Sequence, residues 1–174
     1  DPVRFRLSRL PADSRVRGAL ELLVAKGGWG SAPAGIYQGI AVHESFGTVV
    51  AEQVDIALEN GAPVVRRVVC AVDCGVVVNP DVVRMQLESA VVFALSAALH
   101  GEIIIRDGAV VQGNFDDFPL VRIDASPEVE VHFVVTDRPP SGIGEPGVPP
   151  LAPALANAIF AATGKRLREL PLRL

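Results

Sequence analysis

A single helix limits most severely what this chain can fold into. Asn79-Pro80-Asp81 reads as its start, with Asn79 as the cap and Pro80 in the first turn, where a missing N–H costs nothing. From 80 to about 99 the helix is apolar nearly all round: Val82, Val83, Met85, Leu87, Val91, Val92, Phe93, Leu95 and Leu99. Such a helix is expected to be buried on most sides, so the remaining segments have to form layers around it. Gln86, Glu88 and Ser89 are its polar exceptions. A buried amide needs partners, so Gln86 should meet either backbone or a ligand.

The other segments can supply those layers. Residues 13–26 read as a helix capped by Asp13 or Ser14, with Val16, Ala19, Leu20, Leu23 and Val24 on one side and Gly27-Gly28 as the stop. Residues 28–35, rich in Gly, Ser and Pro, form a loop. Strand patterns cover 39–46, 49–58 and 64–73, and Asn60-Gly61 joins the last two into a hairpin. A second hairpin is expected over 102–114 around Asp107-Gly108. A strand is expected over 128–135, with Val129, Val131 and Phe133 facing the core and His132 facing solvent. An apolar helix ends at Thr163-Gly164, and 166–172 could add a last strand. This irregular order of helices and strands predicts an α+β fold, a mixed sheet with packed helices. Residues 1–35 are expected to be an N-terminal helix and linker, and 36–174 the main domain.

Composition excludes several classes. The chain of 174 residues is 49% apolar, carries a net charge of −4 and has no Lys/Arg block. That argues against a nucleic-acid partner or a polybasic membrane anchor. The longest apolar run, 90–99, is short of the ~20 residues that a membrane span needs. His43, His100 and His132 are scattered without metal-ligand spacing, so no metal-binding residue is assigned. Cys70 and Cys74 are too few for an iron–sulfur cluster and should pack on one face of a strand as free thiols. The chain opens at Asp1 with no initiator Met, as expected of a processed protein or part of a longer one, and its compartment is not legible.

The strongest chemical signal is Ser141-Gly142-Ile143-Gly144-Glu145-Pro146-Gly147. Glycines let backbone approach a ligand, prolines stiffen the loop, and one carboxylate stands among them. If shielded from water, Glu145 could act as a general base. It could equally be a carboxylate favoured by the helix start that follows. The spelling G-x-G-x-x-G also fits a dinucleotide-binding loop, but Pro139-Pro140 separates it from the preceding strand and no ribose-binding acid follows.

Taken together, these segments resemble the molybdenum hydroxylases, the xanthine oxidase and aldehyde oxidase superfamily. Within it they look most like the β (large) subunits of isoquinoline 1-oxidoreductase type. The resemblance rests on Gly39-Ile40-Ala41-Val42-His43-Glu44-Ser45-Phe46-Gly47 and on Arg67-Val68-Val69-Cys70-Ala71-Val72-Asp73-Cys74-Gly75 with Val78-Asn79-Pro80. It rests equally on Gly144-Glu145-Pro146-Gly147-Val148-Pro149-Pro150 and the helix that follows, through Lys165-Arg166.

The resemblance implies a molybdopterin-binding-domain-like fold, with Glu145 as the general base beside molybdenum. The base takes a proton from the oxygen that enters an electron-poor carbon of an N-heterocycle or an aldehyde. Gln86, Ser141, Gly142 and Gly144 correspond to positions that approach the pterin. Relatives usually have Gln-x-Glu-Gly-Gly where this chain has Gln86-Leu87-Glu88-Ser89-Ala90. The cofactor implied is a molybdenum–pterin, as molybdopterin cytosine dinucleotide. The partners implied are a small subunit with [2Fe–2S] clusters and the N-terminal part of the large subunit. The 174 residues alone are then a C-terminal portion, expected to fold, to hold no cofactor and to be inactive. A non-catalytic module of the same fold and a small dinucleotide-binding domain are the alternatives.

Overall fold

The computed structural model describes residues 1–174. Two helices precede the sheet. In α1 (Pro2–Leu7) the Asp1 carboxylate accepts from the Arg4 amide at 2.8 Å. The sequence reading assigns no helix there, although Asp1-Pro2 carries the same start signal as Asn79-Pro80. α2 (Arg15–Gly27) starts after Ser14, ends on Gly28 at φ 69° and buries Ala19, Leu20 and Leu23.

β1 (Tyr37–Ser45), β2 (Thr48–Glu59) and β3 (Ala62–Asp73) run antiparallel. Their tight turns, Phe46-Gly47 and Asn60-Gly61, have positive φ at both residues, the backbone twist that matches two-residue hairpins. β6 (Glu128–Phe133) pairs in parallel with β3, giving the order β1-β2-β3-β6. The fold is thus α+β with a mixed sheet, as expected.

The two faces of the sheet carry separate cores. α3 (Pro80–Leu99) and α4 (Leu151–Thr163) cover one, over Val50, Val54, Ile56, Val68, Cys70 and Val72. α2 covers the other, over Ile40, Val49, Ala51, Val69 and Ala71. A register shift where Asp55 and Ile56 meet β3 leaves Arg66 as the extra residue. Because side chains alternate, this bulge moves Val65 onto the α3/α4 face with Val68, instead of beside Arg67 and Val69.

Several expectations change. α3 buries one apolar stripe, Val83, Leu87, Ala90, Val91, Ala94, Leu95 and Ala98, at helical spacing, with Ser96 buried beside it under the Val121 amide. Val82, Met85 and Phe93 are exposed, and so is Gln86. Gln86 is therefore an exposed amide and needs no buried partner. Composition alone made the helix look buried all round, whereas within this chain the sheet and α4 cover one side. By length and composition α3 could also cross a bilayer, contrary to the estimate from its longest run. Here it is a core-packing helix, with Asp81, Arg84 and Glu88 on its exposed side.

The second hairpin shrinks to β4 (Ile105–Arg106) and β5 (Ala109–Val110) around Asp107-Gly108. Residues 166–172 form no strand; the Leu172 amide instead bonds the Ala98 carbonyl at 2.7 Å. β6 does not separate into a core face and a solvent face. It is an edge strand touched by α2 on one side and α3 on the other, so His132 is half-buried.

Candidate active site

The segment 134–150 connects β6 to α4 and holds most of the candidate residues. It is tied to the sheet at its start. Asp73, at the end of β3 and 1% exposed, accepts from Arg15 of α2 at 2.9 and 3.2 Å and from Arg138 at 2.7 Å. Burial alone would raise the Asp73 carboxyl. The Arg15 bonds, the Gly75 amide and the Arg138 charge outweigh it and hold the group below the ordinary carboxylate range. Arg15 is correspondingly raised by its bonds to Asp73.

Gly75 makes the next contact possible. A Cβ there would lie 2.1 Å from the Pro139 carbonyl oxygen, so only glycine lets the strand exit and this segment run together. The Val76 amide bonds the Arg138 carbonyl, and the Ser141 amide bonds the Cys74 carbonyl, both at 2.9 Å.

Thr48, the first residue of β2 and fully buried, completes the anchorage. Its hydroxyl lies 2.6 Å from both the Ser141 hydroxyl and the Gly142 carbonyl. One O–H can donate once, so Thr48 donates to the carbonyl and accepts from Ser141. Nothing in the sequence marks Thr48, since a threonine opening a strand is ordinary.

From Gly142 to Glu145 no backbone N–H donates to a protein acceptor. Gly142, Gly144 and Glu145 are exposed, and a side chain at Gly144 would meet nothing within 4 Å. The turn thus leaves four N–H groups without a protein acceptor beside one exposed carboxylate. This suits a polar or anionic group lying along the backbone, as the oxygen- and phosphate-bearing end of a pterin cofactor would. Glu145 itself is not shielded by any part of this chain. The turn then closes with the Val148 amide on the Glu145 carbonyl at 2.9 Å, and α4 begins.

α3 reaches the turn at Gly147. A Cβ there would lie 2.8 Å from Leu87 Cδ2 and 3.0 Å from Ala90 Cβ. The Ala90 methyl therefore fills space that Gly147 leaves, at one of the positions where the resemblance leads one to expect glycine. Gln86 adjoins Leu87 on the open side of α3. Beside it, Met85, Phe93, Ile103, Phe118 and Leu120 line an apolar groove of about 930 Å³.

Beneath the turn is a group that the sequence reading missed. Glu52, in the middle of β2, is fully buried. Its Oε1 lies 3.6 Å from the Cys70 thiol and 3.7 Å from where a Gly147 Cβ would stand. Burial pushes Glu52 well above the ordinary carboxylate value, and burial with Glu52 beside it pushes the Cys70 thiol up. Cys70 and Cys74 are both free and buried in the same core, as expected.

The geometry is not that of a dinucleotide-binding domain. The three glycines lie well beyond the end of β6 and before α4, in a sheet with only one parallel pair.

Residues 24–127 match the family model described as molybdopterin cofactor-binding domain. The chain belongs to the molybdenum hydroxylase family and contains its molybdenum cofactor-binding domain. It is 32% identical, over 99% of its length, to the isoquinoline 1-oxidoreductase subunit beta of Brevundimonas diminuta, and covers 23% of that protein. It is also 32% identical, again over 99%, to a Gluconacetobacter polyoxogenes protein named membrane-bound aldehyde dehydrogenase (pyrroloquinoline-quinone), covering 25% of it. The chain thus spans about a quarter of the length of these relatives. Among solved structures, the aldehyde oxidoreductase of Desulfovibrio desulfuricans is similar over 71% of this chain and 14% of its own. That match has a TM-score of 0.59 and 26% identity.

Proposed function

We propose that this chain is the part of a molybdenum hydroxylase that presents the general base, Glu145, to a molybdenum–pterin group lying along the turn from Ser141 to Gly147. The observation that carries this reading is the turn: a carboxylate beside four unengaged N–H groups, on a backbone tied to Thr48, Cys74 and, through Arg138, Asp73. The backbone of Ser141, Gly142 and Gly144 and the exposed Gln86 amide would hold the pterin. When bound, the cofactor supplies the two-electron redox chemistry that lets a water-derived oxygen replace hydrogen on carbon.

The role of this chain is proton transfer. Glu145 accepts, at a carboxylate oxygen, the proton of the oxygen that is inserted, and later releases it to solvent. That needs water kept from the carboxylate during reaction. Cover comes from the cofactor and from the further length that the relatives possess. The substrate class is an electron-poor N-heterocycle or an aldehyde. The cofactor form is the cytosine dinucleotide, and electrons leave through [2Fe–2S] clusters on a small partner subunit. Residues 36–174 carry Glu145, and 1–35, expected from sequence to be one helix and a linker, instead contribute α1 and α2, with α2 packed on the sheet as part of the same unit. The 174 residues alone hold no molybdenum and turn over nothing.

Glu145→Gln in the complete protein tests this. The amide keeps the shape and loses the basicity, so turnover should fall by ~10²–10⁴-fold with molybdenum and pterin content unchanged. Near-normal turnover at full occupancy would overturn the base assignment. A complete, cofactor-loaded protein without any turnover would favour a non-catalytic module, the reading that the exposure of Glu145 supports. Metal analysis showing no molybdenum but a bound quinone would overturn the cofactor assignment.

A further inference from the structure

Glu52 is the one fully buried carboxyl that the chemistry above does not use. Along its own strand face stand Val50, Val54 and Ile56, all apolar. A polar group desolvated in such a row costs stability unless it is hydrogen-bonded. Yet Oε1 meets only the weak thiol donor of Cys70, and Oε2 has no partner. A buried group left so calls for a reason beyond packing.

The turn that carries Glu145 passes close to Glu52: a Cβ built on Gly147 would stand 3.7 Å from Oε1, at a point that Leu87 and Ala90 of α3 also crowd. The carbonyls of Pro146 and Gly147 accept no hydrogen bond from the protein, although both residues are buried. A turn with two buried, unbonded carbonyls therefore passes near a buried carboxyl with one free oxygen. We propose that Glu52 is a positioning residue for Glu145, the seat beneath Gly147 that sets where the turn, and with it the base, stands. This rests on the reading of Glu145 as the base.

The charge state of Glu52 follows from its neighbours. β3 brings only Cys70 as a titratable group. β1 brings Ala41 opposite, with His43 one step along the same face but exposed. α3 turns Asp81, Arg84 and Glu88 outward, α4 has no charged residue, and the turn offers Gly147. No cation compensates burial, and burial holds the carboxyl well above the ordinary carboxylate range, which favours its neutral form. As a neutral acid it has an O–H to donate toward the free carbonyls. Once ionised, it would draw water beneath the turn and lift it.

The test uses the complete protein with its cofactor. Glu52→Gln keeps shape and neutrality, and Glu52→Leu keeps bulk without hydrogen bonds. The amide variant should retain turnover at neutral pH and hold it to higher pH than wild type. The leucine variant should lose kcat on the order of 10²-fold, as displacement of a catalytic group does, with KM unchanged. Two readouts do not depend on turnover. The infrared band of a protonated carboxyl should be present in wild type at neutral pH and missing in Glu52→Gln. Amide exchange at Ser141 and Val148, the bonded amides of the turn, should quicken in Glu52→Leu. In wild type, but not in Glu52→Gln, it should also quicken at alkaline pH beyond its intrinsic dependence.

Absence of the acid band, or turn exchange identical in wild type and both variants, would overturn the proposal. If Glu52→Leu does not fold, the band and the pH-dependent exchange of wild type against Glu52→Gln decide. Should Glu145→Gln keep full turnover while the turn responds as described, the base assignment falls and the seat remains.

Discussion

Glu52→Gln should make the 174-residue chain more stable than wild type by an amount that grows with pH. In the unfolded chain Glu52 titrates near its ordinary value of 4.5, while in the fold it is held well above that. A raised carboxyl contributes stability that is fully present below the unfolded value and is lost as pH climbs toward the folded one. Each pH unit in that window removes about 1.4 kcal/mol from wild type, because folding must take up a proton that the unfolded chain has released. The amide that replaces Glu52 has nothing to titrate, and all other groups cancel between the two proteins. The gap should therefore widen steadily as pH rises above the unfolded value of 4.5, until the folded carboxyl itself ionises. Urea unfolding at several pH values, with m-values compared to confirm cooperative behaviour, measures it. A constant offset between the two proteins, whatever its size, would mean that Glu52 is already ionised in the fold or open to water, and that its carboxyl is not raised by burial.

Asp73→Ala leaves Arg15 and Arg138 without their shared acceptor. The loss should be about 2–3 kcal/mol, below that of a fully enclosed pair because Arg138 is about half exposed. For wild type, the share contributed by Asp73 should persist above its ordinary 3.8 and disappear as pH falls through the lower folded value; urea midpoints from about pH 2 to about pH 5 read both. Thr48→Val removes the donor to Gly142 and leaves the Ser141 hydroxyl and the Gly142 carbonyl without their partner, so it should cost about 1–3 kcal/mol and speed amide exchange at Ser141 and Val148. Cys70 and Cys74 should take two alkyl labels after denaturation without reductant and react slowly in the native protein, because both are buried; a mass two hydrogens lighter with no label would show a bridge.

Much of the architecture was legible because its signals are local. Asn79-Pro80, Asn60-Gly61 and Thr163-Gly164 are short sequences whose backbone preferences hold in any surroundings, and each lies where expected. The candidate turn was legible for the same reason: glycine and proline density with a single carboxylate marks a backbone shaped for approach. Where the reading failed, a global quantity had been judged locally. α3 looked buried on most sides because composition counts apolar residues and not what lies against them. β6 looked two-faced because alternation ignores that two helices flank an edge strand.

The sequence by itself therefore determined the elements, the turn chemistry and Glu145 as the acid to suspect. Only the tertiary structure decided that Thr48 pins the turn, that Asp73 joins α2 to the segment before it, and that Glu52 lies beneath it. The partners are far apart along the chain, 58 positions between Asp73 and Arg15 and 94 between Thr48 and Gly142, and no local pattern reports such meetings. In Val49-Val50-Ala51-Glu52-Gln53-Val54-Asp55 the acid at 52 reads as one more polar strand residue. Its burial follows from helices and a loop packed over that face, and the free-energy cost of a buried carboxyl is set by those neighbours, not by the strand that carries it.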